Sequence, residues 1–126
     1  METRDAVSID VLKAFLDVFN RHDLDDIMSF FGENPVFDFP RGPHEWGCRA
    51  EGREEVRRLL ATRFEGIPNV HYGDDRHFVC GPRGASEWLL TGTTRDGKKV
   101  RVRGCDLFEF VGGKITRKDS YWKIVE

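Results

Sequence analysis

Asp106 stands in the run Val-Arg-Val-Arg-Gly-Cys-Asp-Leu-Phe-Glu-Phe-Val, residues 100–111, whose β-branched and aromatic content reads as a strand. Alternation puts it on one face with Val102, Phe108 and Phe110. A carboxylate on an apolar face must find a partner or become neutral, because an unpaired buried charge costs several kcal/mol. In an apolar pocket it would serve as a general acid or base near neutral pH. Tied to Ser120 or to a neighbouring strand it would be structural.

Asp38, on the face opposite to Phe37 and Phe39, and His44, in the stretch 41–50 that also carries Trp46 and Cys48, are candidates for a second acid/base group. Glu87 shares a face with Leu89 and Thr91 and either lines a pocket or pairs with an arginine. Trp122 shares parity with Ser120, and Cys105 points to the face opposite Asp106. His71, His77 and Cys80 fall in one strand-rich segment, but alternation and an interruption near Gly73 argue against their convergence. Neither a metal nor a cofactor is expected.

The elements that must position these groups come in a clear order. Ser8 caps a helix with Ile9, Leu12, Phe15, Leu16 and Phe19 at helical spacing, and Asp23 caps a second with Leu24, Ile27, Met28 and Phe31 as its stripe, ending at Gly32. A short strand at 36–39 stops at Pro40, and a loop follows to Ala50. A third helix over 53–64 turns Val56, Leu59, Leu60 and Phe64 inward and its arginines largely outward. Strands at 70–80, 85–95, 98–111 and 114–125, joined by turns at 81–84, Asp96-Gly97 and Gly112-Gly113, predict an antiparallel meander. Helices first and a meander afterwards is an α+β arrangement in one domain, residues 1–126.

Composition narrows the partners. The 126 residues carry three cysteines without C-x-x-C spacing, so reduced thiols are expected. The net charge is −2, with 3 Lys+Arg against 9 Asp+Glu in residues 1–40, and the basic residues are scattered, which argues against nucleic acid. No apolar run reaches a membrane span, and the opening Met-Glu-Thr-Arg-Asp lacks a signal pattern; a cytoplasmic location is expected.

Asn20-x-x-Asp23-Leu24, Phe37-Asp38-Phe39-Pro40, Glu51 to Arg57, Glu87-Trp88 with Gly92-Thr93, and Gly112 to Ile115 together resemble the SnoaL-like polyketide cyclases and ketosteroid-isomerase-like proteins of the nuclear-transport-factor-like superfamily. The resemblance runs from about Ser8 to Val125. It implies three helices packed on a curved, mainly antiparallel sheet, a cystatin-like roll with a cone-shaped apolar pocket, and a homodimer.

Asp106 is similar to the pocket aspartic acid of ketosteroid isomerases and to the catalytic acid of limonene epoxide hydrolases. Phe15 stands where the isomerases carry an oxyanion-hole tyrosine, Phe39 where their base falls, and Gly104 where the epoxide hydrolases carry an arginine. A single acid/base, the main group of SnoaL-like cyclases, is the pattern still met. The expectation is cofactor-independent isomerisation, cyclisation or dehydration of a small apolar carbonyl or polyketide-like compound. Asp106, Asp38 and His44 would be catalytic, with Phe15, Phe19, Phe39, Trp46, Glu87, Leu89, Phe108, Ser120 and Trp122 contacting the substrate. The alternative is a non-catalytic ligand-binding or dimeric interaction module.

Overall fold

A computed structural model describes residues 6–126; the opening Met-Glu-Thr-Arg-Asp lies outside them. Helix α1 (Ile9–Asn20) begins where the Ser8 hydroxyl accepts from the Val11 N–H, with Asp10 in its first turn, and it buries Leu12, Phe15, Leu16, Val18 and Phe19. Asp23 caps α2 (Leu24–Met28), which is one turn long and ends well before Gly32. The exposed Arg53 guanidinium binds Met28 O at the helix end and Phe31 O and Gly32 O just beyond it at 3.0, 2.7 and 3.0 Å, so this arginine also anchors the segment after the helix.

Strand β1 (Phe31–His44) is far longer than the four residues expected, and the expected loop is instead a hairpin to β2 (Gly47–Glu51). Pro35 and Pro40 do not stop it, because each falls where the register shifts and no ladder N–H is needed. Gly47 closes the turn at φ +84, with a substituent Cβ 1.9 Å from Phe39 O. Helix α3 (Arg53–Gly66) follows, then β3 (His71–Cys80), β4 (Arg83–Thr93), β5 (Lys99–Val111) and β6 (Lys114–Trp122).

The sheet order is β2-β1-β6-β5-β4-β3, antiparallel except for the β1–β6 pair. The predicted meander is there, and the six-stranded mixed sheet stays open. The helices cover one face and enclose a core of aromatic rings: Phe15 lies edge-on to Phe30, Phe31 and Phe108 at 5.3–5.8 Å between centroids. Two details aim β3 at that core. The Asn20 side chain bonds both Tyr72 N and Tyr72 O, at 2.8 and 2.9 Å, and a bulge between Gly73 and Arg76 resets the alternation after it.

Candidate functional site

Asp106 sits in β5 opposite Ser86 on one side and Ser120 on the other. Its strand face is the one expected, with Val102, Phe108 and Phe110 all buried and Asp106 itself 4% exposed. Three donors hold the carboxylate. The Trp88 indole N–H reaches Oδ2 at 3.0 Å; the Ser120 hydroxyl and the Lys118 ammonium reach Oδ1 at 2.5 and 3.2 Å. Lys118 also donates to Ser120 Oγ at 2.9 Å, closing a triangle inside the core. An indole N–H only donates, so Oδ2 is the acceptor of that bond, while Oδ1 is shared between the Ser120 hydroxyl and the Lys118 amine.

Lys118 is 5% exposed, and its ammonium lies 4.5 Å from the Phe37 ring centroid and 5.3 Å from that of Phe19. Burial pulls its pKa below the ordinary lysine value, against the opposing charge and hydrogen bond of Asp106. Lys118, Ser120 and Trp88 border a cavity of about 10 Å³, room for roughly one water. Phe19, Phe37, Leu60 and Tyr72 form its buried walls, while Phe39, Pro40, Arg63 and Trp122 are half-buried and form its mouth. Asp106 is not on the lining; it stands behind its donors.

Arg63 spans the mouth, its guanidinium 4.7 Å from the Phe39 ring and 4.5 Å from that of Trp122. Burial lowers its pKa, and Tyr72 and Asp106 partly offset this. The Tyr72 phenol is pushed up strongly by burial, with Arg63 opposing. A phenol whose folded pKa is raised stabilises the fold below its unfolded pKa of 10 and loses that contribution as pH rises through the folded value. Tyr72→Phe should therefore flatten the loss of stability between about pH 9 and about pH 11, read by urea denaturation at both values.

Gly104 explains why no arginine stands two residues before the acid. A Cβ there would meet Tyr121 O at 2.3 Å and the Trp88 indole carbons at 2.6 Å, so the space belongs to the indole. Gly104→Ala should cost about 1–3 kcal/mol and displace the Trp88 N–H from Asp106, visible as a moved indole N–H resonance.

Seven other expected site residues lie off the cavity. Asp38 is fully buried but on the opposite, outer side of the sheet, where Arg49 grips it at 2.7 and 3.1 Å and Arg117 at 2.8 Å; a carboxylate so neutralised is a tie between β1, β2 and β6. His44 and Trp46 stack on each other at 4.9 Å, exposed at the hairpin turn and off the cavity lining. The Ser86–Asp106 register turns Glu87 outward, 3.9 Å from Arg76, and turns Leu89 outward with it. Phe15 and Phe108 are packed in the core and do not reach the cavity. Phe19, Phe39, Ser120 and Trp122 do.

Sequence reasoning passed over Lys118, Tyr72, Arg63 and Trp88 as site residues. A signal for Lys118 was present: it shares parity with Ser120 and Trp122 and lies across from Phe108 in the register. The bulge in β3 turns His77 inward, where it contacts Ser86 Oγ at 2.8 Å through Nδ1 and Asp75 Oδ2 at 2.6 Å through Nε2. The tautomer of His77 with its proton on Nε2 donates to Asp75 and accepts from the Ser86 hydroxyl. Ser86 is 2% exposed and off the cavity, and Asp75 is at the surface, so the chain is a tie between β3 and β4 and not a nucleophile arrangement. His71 is exposed, and among the described residues no group of three or more His, Cys, Asp or Glu converges as a metal site would. Cys48, Cys80 and Cys105 are free; burial first, then Asp106, raises the Cys105 thiol. No helix among the described residues is long and apolar enough to cross a membrane.

A broader groove of about 370 Å³ lies against Glu87, Arg103, Gly104, Cys105, Tyr121, Trp122 and Lys123. It is the larger space, but its lining includes exposed side chains, Tyr121 at 52%, and none of its acids is buried. The small cavity holds the buried polar cluster and is the candidate site.

Comparison with curated proteins returns no match. Among solved structures, a candidate polyketide cyclase from Xanthomonas campestris pv. campestris superposes with a TM-score of 0.81 at 22% identity, covering 95% of this chain and 90% of that one. An NTF2-like protein of unknown function from Mesorhizobium loti gives 0.72 at 27% identity, with 91% and 89% covered. A Catenulispora acidiphila protein of ketosteroid isomerase-like fold, solved with trimethylamine, gives 0.79 at 18% identity, with 94% and 88% covered. The profile of the SnoaL-like domain family matches residues 12–118, nearly the whole folded chain from the first core residue of α1 to the buried lysine of β6. The chain belongs to the SnoaL-like domain family.

Proposed function

We propose that the protein is a cofactor-independent enzyme of the isomerase or cyclase type, moving a proton on a small, largely apolar carbonyl compound of polyketide-like character. The observation that carries this reading is the Asp106–Lys118–Ser120 cluster, placed deep among aromatic walls, with Lys118 and Ser120 bordering a cavity and Asp106 directly behind them. Asp106 is the proton-accepting charge of the cluster, and Lys118 and Ser120 are the groups that present a proton to the cavity. A developing enolate oxygen would be stabilised by the Lys118 ammonium, which is already oriented by its two partners. Family membership supports the reaction class, and the SnoaL-like pattern of one main acid/base fits a site from which Asp38 and His44 are absent.

A cavity of about 10 Å³ admits no such substrate with its mouth closed, so binding requires Arg63 and Trp122 to turn aside. That requirement, with every polar group of the cluster already satisfied, favours the second reading, a ligand-binding module without turnover. Deuterium exchange at the α-carbon of a panel of small cyclic and aryl ketones separates them. The enzyme reading expects exchange above the buffer rate, reduced about 100-fold or more in Asp106→Asn. Exchange no faster than buffer throughout the panel leaves only the binding reading. A homodimer through the outer sheet face, where Leu89, Cys105, Leu107 and Tyr121 stand half-buried or exposed, is part of the same proposal, and sedimentation equilibrium checks it.

A further inference from the structure

We propose that the Lys118 amine is a covalent carbonyl-capturing group, adding to a small aldehyde or ketone in the cavity to form a protonated imine. The reading goes beyond proton transfer, which needs no bond between substrate and protein. Five of the six lysines, Lys13, Lys98, Lys99, Lys114 and Lys123, are exposed; Lys118 alone is buried, and it borders the cavity. A lysine in that position is the form in which an amine becomes nucleophilic at neutral pH. The neighbouring groups complete what the chemistry needs: a proton acceptor 3.2 Å away at Asp106 Oδ1 and a hydroxyl 2.9 Å away at Ser120 Oγ.

The step balances. The Lys118 ammonium gives one proton to Asp106 Oδ1, and the freed lone pair forms the C–N bond to the carbonyl carbon while the carbonyl π pair moves to oxygen. That oxygen takes a proton from the new ammonium through Ser120, giving a carbinolamine. The nitrogen lone pair then expels the hydroxyl, which leaves as water with the proton stored on Asp106, and the protonated imine remains opposite a carboxylate. No oxidant or reductant is consumed.

The groups facing Lys118 set its pH behaviour. Asp106 from β5 and Asp119 on its own strand favour the ammonium; Arg63 from α3 and burial among Phe19 and Phe37 favour the free amine. The net direction is toward the free amine.

The test is reductive trapping: the whole protein with propanal and sodium cyanoborohydride near neutral pH, followed by peptide mapping of all six lysines. The expected result is alkylation at Lys118 faster than at any of the five exposed lysines, because burial favours its free amine. In Asp106→Asn the pH at which Lys118 reaches half its maximal labelling rate should fall, because a charge favouring the ammonium is gone. Labelling of Lys118 slower than of Lys98 and Lys99 in the unmodified protein overturns the proposal, whether or not the variant folds. Ketone exchange without a Lys118 adduct would sink imine formation alone, and an adduct without exchange would sink the proton-transfer reading alone.

Discussion

Lys118→Met is expected to destabilise the protein by about 3–5 kcal/mol, measured by urea denaturation at neutral pH. The ammonium is 5% exposed and pairs with a carboxylate that is 4% exposed, so removing one member leaves a charge in the core with nothing opposite it. Met keeps the length of the side chain and its contact with Phe19 and Phe37, which confines the loss to the charge. The double variant Lys118→Met with Asp106→Leu should recover part of that stability, because no uncompensated charge is then left in the core. Recovery will be incomplete: the Trp88 N–H and the Ser120 hydroxyl lose their acceptor, at about 1–3 kcal/mol for each orphaned donor. A single variant as stable as the parent would mean that the cluster is hydrated and open.

Asp38→Ala is expected to cost about 2–4 kcal/mol while leaving the chemistry of the cavity intact. Asp38 joins β1 to β2 through Arg49 and to β6 through Arg117, and Arg117 continues to Asp119, on which the Tyr121 hydroxyl also rests. Both arginines are partly exposed and regain water when the carboxylate goes, which holds the loss below that of a fully buried pair. Denaturation reads the stability, and ketone exchange by the folded fraction reads the site. Lost exchange in a well-folded Asp38→Ala protein would return Asp38 to the catalytic group.

The sequence made the strand face of Asp106 legible because alternation is a rigid rule within a strand and the flanking Gly turns fix its ends. The meander and the helices were legible for the same reason: caps at Ser8 and Asp23, an Asp-Gly turn and a Gly-Gly turn each act locally. What escaped depended on distant register. Glu87 looked like a pocket residue until β4 was placed against β5, which brings Ser86, and so Trp88, to the side of Asp106. The length of β1 escaped because Pro35 and Pro40 read as breaks, and only the positions of the two register shifts show why they are tolerated. Lys118 escaped because a lysine in a strand is ordinarily outward. Its burial follows from the parallel pairing of β1 with β6, which sets its register partner Phe37 alongside it.

The site also shows what distinguishes this chain from the isomerase pattern. Where the resemblance would place a tyrosine, Phe15 is packed in an aromatic cluster, and the buried polar group nearest the carboxylate from β6 is Lys118.

The central claim is that small carbonyl compounds meet the protein at the Asp106–Lys118–Ser120 cluster, and the three indole N–H groups report it most directly. Trp88 donates to Asp106, Trp122 stands at the cavity mouth, and Trp46 is exposed on the hairpin away from both. Titration of the same ketone panel, followed by the indole resonances in a nitrogen–proton correlation spectrum, should shift Trp88 and Trp122 saturably and leave Trp46 in place. Movement of Trp46 alone, or of none of the three across the panel, would contradict the account.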